Sequence, residues 1–197
     1  MARGKLIVIY GINNLGKTTQ ARLLVEALRN KGVETRYLKY PLYDLEPSGS
    51  FINEYLRNGN PQGFSSREFQ LLQIMNRTQY DAELRSRLEN GEWIVAEDYV
   101  GTGIAWGMGA GVDRALLEQL NRHLREEDRG ILFEGKRFLE AQESNHHHES
   151  NHDLTEKVRE AHRALGVVYG WLRVDANEPI ERVQTAVWKI VANTFRL

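Results

Sequence analysis

Leu6-Ile7-Val8-Ile9-Tyr10-Gly11-Ile12-Asn13-Asn14-Leu15-Gly16-Lys17-Thr18 runs five apolar residues directly into the pattern G-x-x-x-x-G-K-[ST]. The apolar run predicts a buried strand, and Ala21, Leu24, Val25 and Leu28 predict one apolar face of a helix over Lys17–Lys31, which Gly32 stops. A glycine loop between a strand and a helix is the context this pattern needs. Its backbone N–H groups curl around phosphate oxygens, and the helix N-terminus adds the positive end of its dipole. Lys17 then reaches the β- and γ-phosphates and Thr18 ligands Mg²⁺. Gly11, Asn13, Asn14, Leu15, Gly16, Lys17, Thr18 and Thr19 are therefore candidate contacts to a nucleoside triphosphate.

Outward from this loop, short β-type runs, several of them nearly all apolar, recur between longer helical patterns: Thr35 to Lys39, Trp93 to Glu97, Ile131 to Glu134 and Trp171 to Asp175. Strands that are nearly all apolar belong to parallel sheets covered on both faces, so the chain reads as α/β, a doubly wound five-stranded parallel sheet. Helices are expected over Arg67–Asn90, Val112–Arg125, Leu154–Leu165 and Pro179–Asn193. Tyr43 to Ser50 and Asn58 to Ser66 read as loops. At 197 residues a single domain spanning 1–197 is expected.

Composition narrows the partners. Lys and Arg total 26 against 27 Asp and Glu, a formal charge of -1, which lacks the basic surplus of a general nucleic-acid binder. There is no Cys, which excludes disulfides, thiolate metal sites and a cysteine nucleophile. No apolar run matches a signal peptide or a membrane span, so a cytoplasmic protein without membrane partners is expected.

Trp93-Ile94-Val95-Ala96-Glu97-Asp98 is an apolar strand ending in two carboxylates. Ligands of open α/β sheets lie beyond the carboxyl ends of the strands, so Glu97 and Asp98 are expected to face the phosphates. Mg²⁺ takes one or two carboxylates and keeps most of its waters. Thr18, Glu97 and Asp98 form the candidate metal set.

With these motifs the sequence resembles thymidylate kinase, in the P-loop nucleoside monophosphate kinase group. The likeness rests on Gly16-Lys17-Thr18-Thr19-Gln20, Tyr40-Pro41 after the second strand, Gly49, Asn76-Arg77, Glu97-Asp98-Tyr99 through Trp106, and Val174-Asp175-Ala176-Asn177. It implies a P-loop NTPase-type fold with a small LID at about 137–153, and transfer of the ATP γ-phosphoryl group to a nucleoside monophosphate, most simply dTMP, to form dTDP. It also implies a possible homodimer. On this resemblance Arg77 contacts the base, Tyr99 lines the acceptor pocket, and Lys39, Pro41, Phe69, Gln73 and Asp98 complete the acceptor side.

Three departures stand out. Asp98 occupies the place of the arginine that meets the acceptor phosphate in the family, no arginine follows Pro41-Leu42-Tyr43, and Gln73 stands where an aromatic would stack on thymine, with Phe69 one turn earlier as a substitute. Like charges 4 Å apart repel by about 1 kcal/mol even in water, so cations must compensate. Lys39, Arg36 and Arg77 are candidates, and Lys136 and Arg137 are candidates for the transferring group. Lys17, Glu97 and Arg137 form the candidate catalytic set.

His148-Glu149-Ser150-Asn151-His152 matches H-E-x-x-H, but lacks the apolar helix stripe of a zinc protease site and sits in a polar, His-rich run. Gln142 to Asp153 reads as a polar loop or frayed helix whose His146, His147 or His148, when protonated, replaces missing LID arginines. Two other functions fit the same residues: a deoxynucleoside kinase with a Glu97 base, and a nucleotide-binding module or slow NTPase without a small acceptor.

Overall fold

Leu6–Tyr10 forms β1, with every residue buried, and it is the middle strand of the sheet. The computed structural model describes residues 3–138 and 152–197. Around β1 stand β2 (Thr35–Lys39), β3 (Trp93–Glu97), β4 (Arg129–Glu134) and β5 (Leu172–Asp175), in the order β2-β3-β1-β4-β5 and all parallel. The central strands β1, β3 and β4 are almost wholly buried, whereas the edge strands β2 and β5 bury only Thr35, Leu38 and Val174. That difference is what helices on both faces and solvent at the edges impose. Pairing of Lys39 with Glu97, and of Glu97 with Ile9, aligns the carboxyl ends of three neighbouring strands in one row.

The helices are α1 (Lys17–Asn30), α2 (Ser48–Arg57), α3 (Ser66–Glu89), α4 (Val100–Gly109), α5 (Arg114–Asn121), α6 (His152–Tyr169) and α7 (Ile180–Phe195). Helix α1 packs against α7 and over β2 and β3, and α4 packs between α3 and α6. The long α3 starts at a capping box in which the Ser65 hydroxyl accepts from the Glu68 amide while Glu68 accepts from the Ser65 N–H.

Two helices depart from the sequence expectation. Helix α2 begins inside Tyr43–Ser50, expected to be a loop, and α4 lies where no helix was expected. Glycines at 101, 103, 107 and 109 lower the helix propensity of α4. The fold uses the missing side chains for close approach: a Cβ at Gly103 would stand 2.8 Å from the Arg77 guanidinium. The expected 112–125 helix is shorter, because the Asp113 side chain caps it by accepting from the Leu116 N–H. The expected 154–165 helix is longer, reaching Tyr169. Most of the segment expected to form a LID, about 137–153, with His146, His147 and His148, lies outside the described residues; His152 opens α6.

Candidate active site

The turn from β1 to α1 is shaped by backbone conformation. Gly11 has φ 136°, and a Cβ there would lie 2.7 Å from the Phe133 carbonyl oxygen, so only glycine lets the loop pass β4 this closely. The helix itself starts from Gly16, which makes no side-chain cap. Lys17, 4% exposed, donates from Nζ to the carbonyls of Gly11 (2.9 Å) and Ile12 (2.8 Å). Its ammonium is thereby held over the loop, 3.6 Å from Asp98 Oδ1.

A cleft of about 330 Å³ opens from this loop. Asn13, Asn14, Leu15, Gly16, Lys17, Thr18 and Thr19 form its phosphate end. Glu97, Asp98 and Tyr99 line it from the end of β3, Lys39 and Pro41 from the end of β2, and Phe69, Gln73 and Arg77 from one face of α3. Four candidates stand elsewhere. Gly11 is behind the cleft, where its carbonyl holds Lys17. Arg137 is not on the cleft wall either, although the segment carrying it meets the loop, for the Phe138 N–H donates to the Asn14 carbonyl at 2.8 Å. The neighbouring Lys136 is clamped through both backbone groups by the Asn177 amide. Arg36 points away as well, into an ion pair with Glu92 at 2.8 Å.

Asn76 explains how the acceptor side keeps its shape. Fully buried on α3, it accepts from the Leu42 N–H (2.8 Å) and donates to the Leu42 carbonyl (2.9 Å) and the Ser48 hydroxyl (2.8 Å), tying the loop after β2 to the start of α2. This brings Tyr43, Leu56 and Arg57 onto the cleft wall, and α4 adds Thr102 and Trp106. Tyr43, Leu56 and Arg57 carry no motif signal, whereas Thr102 and Trp106 lie within the stretch through Trp106 that carries the resemblance; all five come from the loop before α2 and from the two helices that local propensity conceals. Phe69 has one ring face stacked on Tyr55, with centroids 3.7 Å apart.

The carboxylates at the end of β3 differ in environment. Burial raises the Glu97 pKa, but Lys17 and Lys39, with hydrogen bonds from Tyr37 and Thr18, more than reverse this and hold it below the usual range. Lys39 lies 3.1 Å from Glu97; burial opposes its charge, and Glu97 outweighs burial and raises its pKa. Asp98 is pushed up by burial and the nearby Glu97, against Lys17 and a hydrogen bond from Thr102 at 2.9 Å. It also has φ 61°, a left-handed conformation that Asp tolerates better than most residues.

Arg77 is 2% exposed, and burial lowers its pKa to about 10, leaving it charged at neutral pH. Its Nε and Nη2 find no hydrogen-bond partner among the described residues. An unsatisfied buried guanidinium is costly, and one lining a cleft is a ready donor for a carbonyl-bearing ligand. Thr18, Glu97 and Asp98 supply one hydroxyl and two carboxylates, all oxygen donors as Mg²⁺ prefers. The loop and these oxygens fit a Mg²⁺-bound nucleoside triphosphate.

A glycine loop between strand and helix at one end of a walled cleft, with carboxylates and a buried arginine along the rest of it, is the arrangement of a P-loop phosphotransferase. The thymidylate kinase family model matches residues 9–187. The chain belongs to the thymidylate kinase family. It is 29% identical over 198 residues to a thymidylate kinase of Plasmodium falciparum, an alignment covering 96% of this chain and 90% of that one. It is 28% identical over 210 residues to a thymidylate kinase of Synechococcus, covering 99% of each. The solved thymidylate kinase structure from Candida albicans shares the fold, with a TM-score of 0.80 at 24% identity over 98% of this chain and 93% of that chain.

Proposed function

We propose that the protein transfers the γ-phosphoryl group of ATP to dTMP, giving dTDP and ADP. The observation that carries this reading is the buried Arg77, whose guanidinium keeps donors open on the wall of a cleft that starts at the phosphate loop. A pyrimidine carbonyl satisfies those donors, and Phe69 and Gln73 border the same pocket.

The chain's own residues act by positioning and charge. Lys17, preset by two carbonyls, meets the β- and γ-phosphates when the nucleotide enters. Bound Mg²⁺ would neutralise charge on the phosphate oxygens, held by Thr18 with Asp98 or Glu97. Tyr99, packed against Tyr40 with centroids 5.1 Å apart, closes the pocket beneath the acceptor. Lys39 screens Glu97 from the incoming anion. No helix among the described residues is long and apolar enough to cross a membrane. A cytoplasmic location and a homodimer belong to the same proposal, and sedimentation of the purified protein tests the latter.

ADP release with ATP and Mg²⁺ is measured with each nucleoside and each nucleoside monophosphate in turn. dTMP is expected to give the highest kcat/KM. A preference for thymidine over dTMP assigns a deoxynucleoside kinase instead, and turnover that no acceptor raises above ATP alone leaves only a slow NTPase.

A further inference from the structure

Glu97 closes β3 and lines the cleft, yet it is buried, and both of its carboxylate oxygens are held from β2. Lys39, its register partner, stands 3.1 Å from Oε1, and Tyr37 donates its phenolic hydroxyl to Oε2 at 2.5 Å. Residues two apart on a strand share one face of the sheet, so β2 directs both donors at the same carboxylate. The two donors are not equivalent. Lys39 has a half-exposed side chain on the cleft wall, and its four-carbon stem lets the ammonium swing away. Tyr37 does not line the cleft and stands outside the stretches that carry the family resemblance.

The Tyr37 ring is pinned from the other side. The Arg22 guanidinium lies 5.1 Å from its centre, and Arg22 follows Thr18 by one turn of α1, so the helix face that carries the metal-binding hydroxyl also packs on this ring. Thr18 hydrogen-bonds with both Tyr37 and Glu97. Burial and the neighbouring Glu97 push the Tyr37 pKa further up, so the phenol keeps its proton and stays a donor at neutral pH. A carboxylate that ligates a metal is oriented by the hydrogen bond its other oxygen makes, and loss of such an outer partner costs about 10- to 100-fold in metal affinity. We infer that Tyr37 is a positioning residue for the Mg²⁺ of the ATP complex: it keeps Oε2 of Glu97 against β2 and so presents Oε1, which the exposed Lys39 can yield, to the metal beside Thr18. This rests on the dTMP kinase reading, which supplies ATP with its Mg²⁺.

Mn²⁺, which takes the same oxygen ligands as Mg²⁺, is titrated into the full chain with a non-hydrolysable ATP analogue, and free Mn²⁺ is read by electron paramagnetic resonance. The proteins are the wild type, Tyr37→Phe, Glu97→Gln and the double variant. Tyr37→Phe keeps the ring over Arg22 and removes only the hydroxyl. It is expected to weaken Mn²⁺ in the ternary complex about tenfold and to leave metal-free binding of the analogue, followed by calorimetry, unchanged. In the Glu97→Gln background the same replacement should have no further effect, because the hydroxyl acts through that carboxylate. Unchanged Mn²⁺ affinity overturns the inference, and a lower melting temperature beside it makes the hydroxyl purely structural. Equal weakening of the metal-free analogue, or an added loss in the Glu97→Gln background, overturns it as well. Wild-type turnover of dTMP leaves the kinase reading standing in all these cases, whereas a wild type that binds the analogue with Mn²⁺ and does not phosphorylate dTMP overturns that reading.

Discussion

Lys17 Nζ stands 3.6 Å from Asp98 Oδ1, which joins the phosphate loop to the end of β3 through opposite charges. The family motif that this stretch resembles has an arginine at the place of Asp98, where this chain has a carboxylate facing Lys17. The carboxylate is kept by three things: Lys17, the Thr102 hydroxyl, and a left-handed backbone at φ 61°.

Asp98→Asn keeps the side-chain shape, the Thr102 contact and a residue type that accepts the left-handed conformation. Thermal stability should therefore change little. If Asp98 helps to hold Mg²⁺, the Mg²⁺ concentration for half-maximal turnover should rise several-fold. An unchanged Mg²⁺ titration places that role on Glu97 or on water.

Arg77→Met should separate stability from binding. Replacing a buried charge whose donors are not all satisfied by an apolar side chain of similar length is expected to leave urea stability unchanged or raise it by about 1–3 kcal/mol. The KM for dTMP should rise at the same time. A large fall in stability would mean that the surrounding tyrosines depend on the guanidinium for their packing.

Asn76→Ala removes three hydrogen bonds, leaving the half-buried Leu42 N–H unpaired and its carbonyl with only the Leu45 N–H. The expected cost is about 2–3 kcal/mol in chemical denaturation. Acceptor KM should rise more than the KM for ATP, because the loop that carries Tyr43 is released and the phosphate loop is not.

His162 is 2% exposed on α6, its Nδ1 lying 2.9 Å from the Val158 carbonyl, and burial lowers its pKa to about 3. The unfolded chain takes up a proton near pH 6.5 that the folded chain refuses until about pH 3. Its contribution is therefore fully present above pH 6.5 and is lost progressively as pH falls through that window, by about 2 kcal/mol at pH 5. His162→Gln should flatten the fall in stability between pH 6.5 and 4, as followed by urea titrations at each pH. An unchanged slope would assign that acid sensitivity to other groups.

The strand, loop and helix from Leu6 to Asn30 were legible because everything they need is contiguous: an apolar run for burial, glycines for the turn, and an apolar helical face. The same holds for the central strands β1, β3 and β4, whose lack of alternation already says that both faces are covered. Asn76 and Arg77 could be singled out through a motif, but not the reason for the pair, since Asn76 works on Leu42 and Ser48 from far along the chain. Helix α4 was hidden because glycine weakens an isolated helix, and the close approach to Arg77 that makes those glycines useful exists only in the folded chain.

By itself, then, the sequence determined the phosphate end of the cleft, where short-range backbone geometry and one lysine suffice. The tertiary structure decided the acceptor end. Lys39, Arg57, Arg77 and Asp98 come from β2, α2, α3 and the end of β3, and whether such charges face one another, a substrate or solvent depends on how those elements pack.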